Sequence, residues 1–366
     1  MQSALGVDIG RFSTKVVWVQ QAPNGQCDLA VAQFASFPTQ QGSEAQASKQ
    51  SDRRKRRKRR NPFQHAGSDQ EESEIAWDNS QLSDLVQRVA SSLTQEQKRS
   101  TKAYLTVSMS ECDIRSICIP RETTNREAAI SPLLQESIGD SEPRSLALIP
   151  GIDPEAGKAR VFSMPESLSL GAAKLFEENG LKLQQIDGLP WCQARLSANA
   201  SQDPTQISLV LDWGYLGPTL TVVKAGEIQY VRRLTSGALS QLAFQARRDL
   251  GMNALEAMRW IEYCATGDVD AKNPMVSETR SWISQCCRGL AKEIDSAIEY
   301  VSWRFKQESI DGLLLIGGGS NLEFSASQLK DRLSIPTESW SIHSGNQVID
   351  ASFATATSLA MLGVSS

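Results

Sequence analysis

Two short stretches carry residue types that could hold a phosphorylated ligand. The first, Asp8-Ile9-Gly10-Arg11-Phe12-Ser13-Thr14-Lys15, follows an apolar run and joins a carboxylate, a glycine, two hydroxyls and a lysine. A carboxylate at the end of a strand can hold a hydrated magnesium ion, which keeps several of its waters. Gly10 permits a sharp turn whose N–H groups, with the hydroxyl of Ser13 or Thr14, can face a phosphate chain. Lys15 can add a point charge. The same residues also make an ordinary hairpin turn with a lysine in water. The second stretch, Asp212-Trp213-Gly214-Tyr215-Leu216-Gly217-Pro218-Thr219-Leu220-Thr221, repeats the order of strand, Asp-x-Gly turn and hydroxyls. Asp212 could approach the same magnesium ion from a second lobe, with Gly214, Gly217 and Thr219 or Thr221 offering backbone and hydroxyl contacts. Trp213 and Tyr215 make this loop bulky, and packing on a neighbour is the other reading. A third stretch, Gly317-Gly318-Gly319, follows the apolar run Leu313 to Ile316, where glycines let backbone approach a flat ligand and Ser320 or Asn321 can cap a helix.

The elements around these stretches are strands. LGVDI, TKVVWVQ and CDLAVAQFASF are rich in β-branched and aromatic residues, with a turn at Asn24-Gly25. Leu82, Leu85, Val86, Val89 and Leu93 then recur at helical spacing, and KAYLTVSM returns to a strand. ISLVLDWG, PTLTVVKAG and EIQYVRRL, with a turn at Ala225-Gly226, echo the opening meander. Between the two units, CDIRSICIP, REAAISPLLQESI and ESLSLGAAKLFEENG suggest an inserted subdomain of short strands and helices. Three helical stretches follow the second unit: SGALSQLAFQARRDLG, NALEAMRWIEYCAT and a long one from Ser281 to Glu308. Two copies of one pattern about 200 residues apart suggest two related lobes that face each other.

Composition narrows the chemistry. At 366 residues the chain exceeds one ordinary core. Two histidines and seven cysteines without a CxxC pair leave little for a histidine triad, a zinc site or a disulfide framework. No signal peptide or membrane span is evident, which suggests a cytoplasmic protein. From about residue 40 to 75 apolar periodicity vanishes, as in a disordered insertion. It contains Arg53, Arg54, Lys55, Arg56, Arg57, Lys58, Arg59 and Arg60 in an unbroken run. With the whole chain at −4, this run leaves −12 for the remainder. It could contact anionic lipid or another polyanion, or be a solvated loop, but it lacks what sequence-specific nucleic-acid recognition needs.

In this order and at these separations the three stretches resemble the actin-like ATPase superfamily, and within it the type IV pilus assembly PilM family, related to FtsA. The resemblance covers nearly the whole chain and rests on LGVDIGRFSTKVVWVQ, EENGLKLQQIDGLPWCQARL, ISLVLDWG with GEIQYVRRLTSG, LLLIGGGSNL and SLAMLGV. It implies an α/β, actin-like two-lobed ATPase fold of duplicated ribonuclease-H-like domains with an inserted 1C-type subdomain. Residues 1–110 plus 185–203 would be domain 1A, 111–184 domain 1C, 204–236 plus 306–366 domain 2A and 237–305 domain 2B. Asp8, Gly10 and Ser13 match the family's first phosphate loop, Asp212, Gly214 and Thr219 its second, and Gly317, Gly318 and Gly319 its adenosine motif. ATP is the implied cofactor, with magnesium held through water by Asp8 and Asp212.

The chain departs from the family pattern in three places. The family's 2B helix usually reads Ala-Glu-x-x-Lys, with the glutamate and lysine facing the nucleoside, whereas Met258 and Ile261 stand at those positions after Ala257 here. Arg11-Phe12 replaces small residues, and Ser236-Gly237 replaces a glycine pair. These departures leave at most a weak ATPase, with no catalytic residue assigned. The implied role is a cytoplasmic assembly component, peripheral at the inner membrane, that binds the tail of a PilN-like partner in a groove of domains 1A and 1C; self-association stays open. The alternatives are a nucleotide-free scaffold of the type II secretion GspL kind, or an active ATPase or kinase of this fold.

Overall fold

The computed structural model describes residues 2–35, 79–120, 123, 126–139, 142–149, 157–200, 206–267, 269–306, 309–345 and 347–364. The basic run and the whole of the 40–75 insertion therefore lie outside the described residues. In chain order the first half holds β1 (Gln2–Ile9), β2 (Ser13–Gln21), β3 (Cys27–Ala35), α1 (Asn79–Ser91), α2 (Gln95–Ser100), β4 (Thr101–Val107), β5 (Asp113–Cys118), α3 (Arg126–Ile138), β6 (Arg144–Ile149), β7 (Lys158–Pro165), α4 (Glu166–Glu178), β8 (Lys182–Ile186) and α5 (Leu189–Ala200). The second half holds β9 (Ile207–Asp212), β10 (Thr219–Lys224), β11 (Glu227–Arg233), α6 (Leu239–Leu250), α7 (Ala254–Ala265), α8 (Pro274–Arg304), β12 (Ile310–Ile316), α9 (Glu323–Lys330), β13 (Thr337–Ser339), β14 (Ile342–Ser344), β15 (Gln347–Ile349) and α10 (Ala354–Leu362).

Two five-stranded sheets have the same plan. The first runs β3-β2-β1-β4-β8 and the second β11-β10-β9-β12-β13. In each, an antiparallel three-stranded meander is extended on its first strand by parallel strands, β1 beside β4 and β9 beside β12. Parallel neighbours need crossovers, and the helices between them supply these. The duplication anticipated from the paired Asp-x-Gly stretches is thus present in strand order. A separate antiparallel sheet, β5-β7-β6, with α3 packed on it, is inserted between β4 and β8 of the first lobe.

Side-chain alternation shows what each face does. Leu5, Val7 and Ile9 point toward α1 and α4, while Ala4, Val17, Val19 and Tyr104 point toward α10. Gly6 lies on the α10 side, where a methyl group would overlap the carbonyl of Ala356. In the second lobe Ile207, Leu209 and Leu211 join the core made with α6, α7 and α8, and Val210 faces Leu196 of α5 and Ala354 of α10. Helices α5 and α10 therefore lie between the two sheets. Asp8 follows the parity of Ala4 and Gly6, and Asp212 that of Val210. Each aspartate thus stands at the end of its strand on the face turned toward the other lobe.

A buried polar contact locks α5 to the second sheet. Gln193, fully buried, donates to the carbonyls of Val210 (3.3 Å) and Thr219 (3.0 Å) and accepts from the Thr221 hydroxyl (2.5 Å). Arg195 on the same helix donates to Asp187 (2.5 Å) and to Ser358 of α10 (3.2 Å). Such groups are costly to bury unless every partner is supplied, so they fix the crossing in one arrangement.

Candidate functional site

The ends of β1, β9 and β12 open into a cleft between the lobes with a volume of about 360 Å³. That is within the range of small-molecule sites. Asp8, Gly10, Ser13, Lys15, Asp212, Gly214, Thr219, Gly317 and Gly318 all line it. Three stretches separated by hundreds of residues therefore meet in one place. Gly319 does not line it: a methyl group there would overlap the Trp213 ring, so this glycine serves close packing beneath the turn.

The two hairpins are built alike. Across β1 and β2, Asp8 pairs with Lys15; across β9 and β10, Asp212 pairs with Thr219. Facing residues in an antiparallel pair share one side of the sheet, so Lys15 stands on the same face as Asp8. Burial pushes the carboxyl of Asp8 up, with Lys15 pulling it down. For Asp212 burial, and then the charge of Asp8, push the value up to about 7, against the pull of Lys15. Two carboxyls that repel across a cleft, with one lysine beside them, form a site short of positive charge. A divalent cation would relieve that repulsion. Among the described residues there is no cluster of three or more metal-ligating side chains, so such an ion would keep waters in its shell.

Gly317 is the residue that lets the third stretch close on the second. Its φ is +83°, and a methyl group would overlap Oδ1 of Asp212. Its N–H donates to Ala351 O (2.9 Å), and the N–H of Trp213 donates to Ile316 O (2.8 Å), stitching β12 to the Asp212 turn.

The aromatic residues behave differently from one another. Trp213 does not crowd the cleft: its ring is buried in the second-lobe core and its Nε1 donates to Gly237 O (2.6 Å). Tyr215 does line the cleft, and it stacks on Phe12 of the first hairpin with ring centroids 5.3 Å apart. This pair bridges the two loops. Arg11 also lines the cleft, where Glu111 and Ser110 in the loop after β4 hold its guanidinium.

Helix α7 corrects a register inferred from the sequence. Met258 lines the cleft as expected, but Ile261 is fully buried in the core and it is Glu262 that reaches the cleft. Burial pushes the Glu262 carboxyl up, partly opposed by Arg259. This end of the cleft is therefore apolar, through Leu239, Met258 and Leu322, with one acid and no lysine from α7. Glu262 was missed because spacing by three was followed where the helical face is set by spacing of four from Met258. Arg233 and Ser352 also line the cleft with no local motif to mark them, and so does Asn321, offered by the sequence as a helix cap, which instead donates to Asp350 (2.7 Å).

No family model matches the chain, and no curated protein matches it. Among solved structures it is similar to one described as a PilM-PilN type IV pilus biogenesis complex, with a TM-score of 0.69 and 19% identity over 99% of this chain and 98% of that chain. More remote are the ethanolamine utilization protein EutJ from Carboxydothermus hydrogenoformans (TM-score 0.49, 13% identity, 99% and 90% covered) and MreB5 of Spiroplasma citri bound to ADP (TM-score 0.49, 11% identity, 100% and 97% covered). The full-length likeness to the first establishes the fold as the two-lobed actin-like α/β fold.

Proposed function

We propose that this protein is a PilM-like assembly component of a type IV pilus or a related secretion machine, taking ATP with magnesium in the interlobe cleft and binding the cytoplasmic tail of an inner-membrane partner. The observation that carries the reading is the meeting of Asp8 and Asp212 beside Lys15 between two sheets of identical strand order. The partner is supported by the similar structure, which is a complex of PilM with PilN. The three-stranded sheet would be the 1C subdomain, and the partner tail would enter the groove between it and the first lobe. Among the described residues no helix is long and apolar enough to cross a membrane, which fits a peripheral protein on the cytoplasmic side.

The residues present fit the nucleotide. Asp8 and Asp212 would hold magnesium through water, Lys15 would offset phosphate charge, and the Gly10 and Gly214 turns would present N–H groups. Gly317 and Gly318 bring backbone close enough for a flat base, and Leu239 and Met258 give it an apolar bed. Glu262 is placed to accept hydrogen bonds from hydroxyls at that end. Bound magnesium-ATP would supply charge that both lobes grip, and the chain's own part is to orient it and exclude water. We assign the cleft binding rather than turnover.

A nucleotide-free scaffold is the second reading, favoured by the Phe12–Tyr215 stack that spans the two loops. The basic run Arg53 to Arg60 would add attraction to anionic lipid, worth about 1 kcal/mol per cation near the surface. The test of the main reading is co-expression with an inner-membrane protein encoded beside this chain that bears a short cytoplasmic tail. Co-purification that needs the tail supports it, and co-purification unchanged by deleting the tail contradicts it.

A further inference from the structure

A second concavity, about 280 Å³ in volume, lies where the three-stranded sheet meets the second lobe. Its walls come from the start of β5, from Arg160 on β7, and from Val231 and Arg233 on β11. Among the described residues, strands β5 and β11 each end their sheet, with a strand partner on one side only. The cleft is cationic. Asp113, the acid in its walls, is already held by Arg144 (2.8 Å) and Arg115 (3.7 Å). Neither Arg160 nor Arg233 has a carboxylate within salt-bridge reach among the described residues. Arg160 lies over the Tyr230 ring at 5.6 Å and donates to Gln229 O at 3.4 Å. Burial, and then the nearby Arg304, pull the Arg160 guanidinium down, as expected where positive charge gathers without a counter-ion.

Beside this cleft is an aromatic shelf. Tyr230 meets Tyr300 at 5.1 Å between centroids, and Tyr300 meets Trp303 at 6.4 Å. Trp303 is 80% exposed, although it is among the residues that bring most from burial. Arg304 donates to the Tyr300 hydroxyl (3.2 Å) and helps hold the shelf in shape. Tryptophan, tyrosine and arginine together are the composition of interface hot spots.

We propose that this cleft and shelf form a docking site for an acidic segment of a protein partner, whose carboxylates meet Arg160 and Arg233 and whose apolar side chain covers Trp303. The planar guanidinium groups suit carboxylates in paired hydrogen bonds. A concave wall favours a peptide over a bilayer, which needs a flat or convex face. What sets the site apart from the groove suggested for the inner-membrane tail is its second-lobe part, Arg233 on β11 and Trp303 on α8, and it borders the interlobe cleft, with which it shares Met109 and Arg233.

Random displayed peptides selected on the full chain test this. The expected result is enrichment of sequences rich in Asp and Glu with an aromatic or aliphatic residue, lost on Arg160→Gln/Arg233→Gln. A fluorescein-labelled copy of the most enriched peptide should bind roughly tenfold more weakly to that double variant, and several-fold more weakly to Trp303→Ala. Trp303 is so exposed that its replacement leaves the fold intact, and thermal unfolding checks both variants. Enrichment of neutral or basic peptides, no enrichment, or equal binding to all three proteins would overturn the proposal. So would binding to phosphatidylglycerol vesicles that is lost in the double variant without any acidic enrichment.

Discussion

Burial, and then the charge of Asp8, push the Asp212 carboxyl up to about 7 from 3.8, so it titrates across neutral pH. In the metal-free protein this has a definite sign. The folded state binds more protons than the unfolded chain between those two values, so stability is greatest below the lower one and is lost as pH rises through the upper one. Urea unfolding should therefore show the free protein weakening between about pH 4 and 7, and Asp212→Asn should flatten that slope and add on the order of 2–4 kcal/mol at about pH 8. Unchanged slopes would contradict this placement of charge. Gly317→Ala forces a side chain into a positive-φ position against the Asp212 carboxylate. It should cost about 2–4 kcal/mol in the same assay. Both aspartates were legible in the sequence because strand, carboxylate and glycine recur together. Glu262 was not, since one step of helical phase exchanges a core isoleucine for a cleft acid. For Trp213 the sequence left crowding of the loop and packing on a neighbour both open, because it does not show which way a ring leaves the strand end, and the ring packs in the core.

Among the elements, the sheets were easiest to foresee. Runs such as ISLVLD and TLTVVK are β-branched and apolar, and they form β9 and β10. Half-exposed strands such as β6, with Leu146 and Leu148 outward, give no clean alternation and were visible only as a vague inserted region. Helix α8 begins at Pro274 behind an Asn273 cap, earlier than its apolar pattern suggests, because its first turns are exposed on several sides. Helix α2 rests on a capping box between Thr94 and Gln97 without burying any residue, so periodicity could not announce it. The least visible feature was the role of α5 and α10 as the wall between sheets, which depends on small residues and on Gln193. Replacing Gln193 by Leu leaves Thr221 and two carbonyls without their side-chain partner. This should cost about 2–3 kcal/mol, read as a lowered urea midpoint. Gly6→Ala should prevent α10 from seating on β1, with loss of cooperative unfolding as the measured sign.

At the scale of the molecule, two sheets of one plan face each other across α5 and α10, and this symmetry brings the two aspartates to a single cleft. The charge distribution is a second whole-molecule property, with the run Arg53 to Arg60 set against a strongly acidic remainder. Replacing those eight residues by Gln should abolish co-flotation with phosphatidylglycerol vesicles at low salt while leaving nucleotide affinity unchanged. Retained flotation would remove lipid attraction from the proposed role. The central claim is that both lobes grip one magnesium nucleotide. Titration with fluorescent mant-ATP, with magnesium and with EDTA, tests it on the intact chain, Asp8→Ala and Asp212→Ala. Saturable binding that needs magnesium and weakens at least roughly tenfold in each variant is expected; no saturable binding, or binding indifferent to magnesium and to both substitutions, would contradict it.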